Sequence, residues 1–80
     1  MLSRPKKRSL TLRRHKTSVT LEEDFWKSFQ EIASKQKKGI NELASEIDYE
    51  RGQNCGLASA IRLYILNYFI PHKTTIEEFL

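Results

Sequence analysis

The sequence predicts a small, mainly helical domain opened by one β-strand. Three observations predict it. Residues 9–21, SLTLRRHKTSVTL, alternate apolar and polar side chains as a half-buried strand does. From residue 22 to 70, apolar residues recur at helical spacing, broken around Gly39 and at RGQNCG, 51–56. The chain has 80 residues, room for one domain with a modest core. Residues 1–8 read as a flexible basic arm, 9–70 as the folded domain, and 71–80 as a C-terminal tail.

In the strand, Leu10 and Leu12 alternate with Ser9 and Thr11. After the basic RRHK, Thr17, Val19 and Leu21 fall on one side, and Lys16, Ser18 and Thr20 on the other. A first helix opens behind it. Thr20 and Glu23 have capping-box spacing, and Glu22, Glu23 and Asp24 suit the positive end of a helix dipole. Phe25, Phe29, Ile32 and Ala33 make one apolar stripe, widened by Trp26, and Gly39 reads as its stop or cap.

A second helix spans about 40–50, with Ile40, Leu43, Ala44 and Ile47 on its apolar face. A third spans about 57–70 and is apolar almost all round, so it needs cover on more than one side. Pro71 ends it, and the nine residues after it carry weak capping signals at Thr75 and Glu78.

Two deficits follow. One strand cannot satisfy its own backbone hydrogen bonds. One helix has more apolar surface than the other two can cover. A two-fold homodimer answers both: the strand pairs antiparallel with its copy, and the third helix buries against the partner. Val19, Leu21, Ile61, Tyr64, Ile65 and Tyr68 are the expected dimer core.

The charge is lopsided. Seven of the 14 basic residues lie in residues 1–20, which hold no acid, whereas residues 21–80 carry all ten acids. A cationic arm on a mildly acidic body points to a polyanionic partner. Lys6, Lys7, Arg8, Arg13, Arg14 and His15 are therefore candidate phosphate contacts. Lys16, Ser18 and Thr20 are candidate base readers, because a paired ribbon fits the DNA major groove and alternate residues lie about 7 Å apart.

Other chemistry is poorly supported. One cysteine, Cys55, and two separated histidines, His15 and His72, give no bridge and no zinc spacing, so no metal or cofactor is expected. No nucleophile–base set indicates an enzyme. The run IRLYILNYFI (61–70) is too short to span a membrane and carries Arg62 and Asn67, so the chain reads as soluble and cytoplasmic. The aromatics sit at helical spacing and read as core, not as an RNA-stacking platform.

The segments KRSLTL, HKTSVTLEEDFW, ELASEID and GLASAIRLYILNYF resemble the ribbon-helix-helix superfamily, and in particular a small bacterial subgroup of it. The resemblance covers residues 7 to about 69. It implies an intertwined homodimer, a ribbon in the major groove of double-stranded DNA, and a role in transcription regulation. It also implies a phosphate clamp at the start of the dimer-forming helix, for which Gly56 and Ser59 fit best. The extra helix at 40–50 departs from the simplest family pattern and leaves Gly39–Asn41 as a second candidate clamp. The alternative function is an antitoxin-like module that binds a toxin partner, with Ile76, Phe79 and Leu80 as possible anchors. The sequence leaves open whether dimers pair into tetramers on DNA.

Overall fold

In the computed structural model, residues 4–52 and 55–70 are described. The tail after Pro71, with the possible anchors Ile76, Phe79 and Leu80, lies outside them, as do residues 1–3 of the arm. The element order is β1 (Lys6–Leu12), β2 (His15–Leu21), α1 (Glu23–Lys35), α2 (Ile40–Glu50) and α3 (Leu57–Phe69).

The first departure from the sequence pattern is at the strand. There are two strands, and they pair with each other within one chain. They run antiparallel in a register from Lys6↔Leu21 to Leu12↔His15. Arg13 and Arg14 alone connect them, at φ 51° and 70°. Two central residues at positive φ are the hallmark of a type I′ turn, whose twist matches that of the flanking strands. The signal is hidden in the sequence because the turn is built from two arginines and not from Asn-Gly. The strand predicted to pair across a homodimer therefore finds its partner 15 residues or fewer away in its own chain. Residues 6–8 also belong to β1, not to an arm.

One face of the hairpin packs on the helices. Leu10, Leu12, Val19 and Leu21 are buried against Phe29, Ile32, Ala33, Leu43, Ala44, Ile47, Ala60, Ile61 and Ile65. Burying each such large apolar side chain stabilises the fold by roughly 1.5–3 kcal/mol. Val19, Leu21, Ile61 and Ile65, predicted as dimer core, are thus interior to a single chain. Tyr64 is half-buried, and its hydroxyl accepts a hydrogen bond from Gln36 Nε2 at 2.7 Å. The hairpin and the other helices cover the inner side of α3.

The helices begin and end for local reasons. Glu22, not Thr20, is the N-cap of α1, and it makes no side-chain cap bond. Thr20 is held in β2 opposite Lys7, so the predicted capping box does not form. At the other end Lys37 adopts φ 58°. Its N–H bonds the Ser34 carbonyl and the Lys38 N–H bonds Ala33, a Schellman motif closed by lysine. Gly39 is free to serve as the N-cap of α2. Gly52, at φ 72°, takes the left-handed position after α2.

α3 has two apolar sides. Ala60, Ile61 and Ile65 face inward. Leu63, Leu66 and Phe69 wind across the opposite side, each half exposed or more, with Tyr68 41% exposed beside them. Among the described residues no helix is long and apolar enough to cross a membrane.

Candidate nucleic-acid interface

Strand alternation sorts the hairpin into two faces. Leu10, Leu12, Val19 and Leu21 point to the helices. Lys7, Ser9 and Thr11 of β1, with Lys16, Ser18 and Thr20 of β2, point away, and all six are exposed. The register sets Lys7 opposite Thr20, Ser9 opposite Ser18, and Thr11 opposite Lys16. The outward face thus holds two lysines and four hydroxyls, with no acid.

The backbone geometry of this face follows from the turn. A two-residue loop makes its flanking pair, Leu12 and His15, a hydrogen-bonded one, so the outward pairs are the non-hydrogen-bonded kind. Their own N–H and C=O groups then point to the ribbon's outer edges. Two contacts agree. The Thr11 N–H donates to Asn41 Oδ1 at 2.9 Å. The Thr20 carbonyl accepts from Arg62 at 3.1 Å.

These contacts also locate the two helix N-termini considered as phosphate clamps. Asn41, near the start of α2, sits at the β1 edge. Leu57, the first residue of α3, lines a cleft of about 340 Å³ with Leu12, His15, Thr17 and Ser18 of the ribbon, Arg13 of the turn and the Asp48–Arg51 ion pair. The N-termini therefore flank the ribbon from opposite edges. Ser59 is exposed, and a Cβ added at Gly56 would meet open space.

The basic residues fall into three groups. Arg13 and Arg14 are exposed at the ribbon's tip, Arg13 with its guanidinium 5.3 Å from the Tyr49 ring centroid. Lys6 and Lys7 are exposed at the open end of the hairpin. Arg8 belongs to neither. It shares the inward parity of Leu10, pairs with Glu23 at 3.0 Å and lies 5.4 Å over Trp26. Its Nε is buried with no hydrogen-bond partner among the described residues. Arg8, expected from the sequence among the phosphate contacts, packs on Trp26 and pairs with Glu23 in the structure.

Arg62 goes unassigned in the sequence reading and proves central to the junction. It bonds Glu22 at 2.9 Å, and its guanidinium lies 5.6 Å from the Phe25 ring centroid. The Arg62 hydrogen bond holds the Glu22 carboxyl below the usual carboxylate range. The Arg8 hydrogen bond does the same to Glu23. These two pairs fix the turn from β2 into α1 and so set the angle at which the ribbon stands on the helices.

The family comparison agrees with this architecture. A family model described as a ribbon-helix-helix domain matches residues 5–69, from the start of β1 to the end of α3. No curated protein and no solved structure matches the chain. The match spans most of the 80 residues and both strands of the hairpin, and the chain belongs to the ribbon-helix-helix domain family.

Proposed function

We propose that the protein is a sequence-specific binder of double-stranded DNA and acts as a transcriptional regulator. The observation that carries this reading is the outward face of the hairpin: exposed, acid-free, and two strands wide. The major groove is about 12 Å wide and admits a two-stranded ribbon. Lys16, Ser18 and Thr20 would meet base edges, lysine as donor to guanine and the hydroxyls as adaptable donor-acceptors. Lys6, Arg13, Arg14 and His15 would meet phosphate, with the α3 N-terminus at Gly56 and Ser59 as a backbone clamp.

Homodimerisation fits the same reading. Leu63, Leu66 and Phe69 form an open apolar strip on α3, and a two-fold axis brings such a strip against itself. The dimer contact of this proposal lies on the outer side of α3, not on the residues the hairpin already covers.

Binding measured across salt concentrations tests the function. A dimer that neutralises about six to eight phosphates gives a log K against log salt slope near −5 to −7. Lys16→Ala should weaken binding and relax base preference, whereas Lys6→Ala should weaken every duplex alike. A slope near zero, or equal losses for both variants on every duplex, contradicts the proposal.

A further inference from the structure

We infer that β1 is a second reading strand: Lys7, Ser9 and Thr11 contact base edges beside Lys16, Ser18 and Thr20, so one chain presents a complete reading surface. The inference rests on the DNA-binding reading above and adds specificity-determining residues to it.

Three observations carry it. The first is register. Ser9 lies directly across from Ser18, and Thr11 across from Lys16. In non-hydrogen-bonded pairs the Cα atoms stand only about 4.5 Å apart, so two such side chains reach one neighbourhood of the groove. The second is orientation. Lys7, Ser9 and Thr11 share the outward parity of the β2 set, while Leu10 and Leu12 between and beyond them are buried. That burial anchors the face, because a one-residue slip would turn both leucines to solvent. The third is availability. Among the described residues, the six outward side chains make no hydrogen bond or ion pair, and only the Thr11 N–H and the Thr20 carbonyl are engaged, both from the backbone.

The chemistry of β1 matches that of β2. Each strand presents one lysine and two hydroxyls, in opposite order because the strands are antiparallel. Lys7, which the basic run at the N-terminus assigns to phosphate, stands on this face opposite Thr20. Ser9 and Ser18 occupy the middle of the face, where a ribbon enters a groove most deeply. A single chain thus reads a short block of consecutive base pairs, and a dimer would read two blocks in inverted repeat.

The test selects bound sites from a random duplex pool with the full chain and with Ser9→Ala, Thr11→Ala and Ser18→Ala. Ser9 is exposed, so its replacement leaves the core intact, and Ser9→Thr serves as a second variant that keeps the hydroxyl. The wild type should enrich one motif. Ser9→Ala and Ser18→Ala should each lose about tenfold discrimination at the same or adjacent base pairs, and Ser9→Thr should retain part of it. If Ser18→Ala alters the motif while Ser9→Ala and Thr11→Ala both retain it unchanged, β1 does not read bases and the inference fails, with DNA binding intact. If the wild type enriches no motif, the DNA-binding reading fails and this inference with it.

Discussion

Arg62, in the middle of α3, donates to the Thr20 carbonyl at 3.1 Å and to the Glu22 carboxylate at 2.9 Å, tying the last helix to the point where the ribbon becomes α1. Removing it frees that hinge. Arg62→Ala is expected to lower Tm by about a few degrees, since the pair is part-exposed and screened. Glu22 and Glu23 both titrate below the usual carboxylate range because arginines hold their ionised forms. With folded values depressed, their contribution is present above the unfolded value of about 4.3 and is lost as pH falls through the lower folded values. Thermal melts between pH 7 and pH 3 should show wild-type Tm falling at the acid end, and a shallower fall for Arg62→Ala.

Arg8 and Lys6 are two residues apart, both basic, and share one strand face, yet differ in burial. Arg8 points inward onto Glu23 and Trp26, whereas Lys6 is exposed. Arg8→Ala should lower Tm and leave the salt slope of DNA binding unchanged. Lys6→Ala should leave Tm unchanged and reduce the slope by about two, one contact being lost from each chain of the dimer. Melting curves and salt titrations of the two variants separate the roles.

The Arg13–Arg14 turn holds two side-chain-bearing residues in the left-handed region. Each costs roughly 1 kcal/mol that Asn or Gly would largely avoid. The double variant Arg13→Asn, Arg14→Gly should therefore raise Tm by several degrees. It should also remove two phosphate contacts from each chain of the dimer, lowering the salt slope by about four. A stabilised variant with undiminished DNA affinity would show that the tip does not touch the duplex.

The two sides of α3 should behave differently. Ile61 is fully buried, and Ile61→Ala should destabilise by about 2–5 kcal/mol. Leu63 and Leu66 are 53% and 52% exposed, so charging them should leave the fold intact. Leu63→Lys with Leu66→Lys should shift sedimentation from dimer to monomer with unchanged helical circular dichroism.

Periodicity places α2 and α3 within a residue of where they lie, because each carries a continuous apolar stripe, whereas α1 is capped at Glu22 and ends at Lys35, short of the Thr20 and Gly39 signals. The hairpin was hard to see for a physical reason: its turn uses arginine where turn chemistry favours Asn and Gly. With that turn hidden, residues 9–21 read as one strand in need of another chain. Val19, Leu21, Ile61 and Ile65 are buried as their apolarity demands, but by the hairpin and helices of the same chain. An all-apolar helix declares that two sides need cover and does not declare which side faces inward. Arg8 was readable in principle, since it shares the alternation of Leu10 and Leu12, yet its charge grouped it with the arm. The outward face of β2 is visible from alternation alone, while its pairing with β1 needs the register that only the fold supplies.

A ribbon completed within one chain underlies the proposed function. Nuclear Overhauser contacts between Ser9 and Ser18, measured in uniformly labelled protein and in an isotope-filtered mixture of labelled and unlabelled chains, test that most directly. A strong Ser9–Ser18 α-proton contact is expected in the first sample and none between labelled and unlabelled chains in the second. A contact that passes the intermolecular filter would mean that the strands pair between chains, and would contradict the single-chain ribbon.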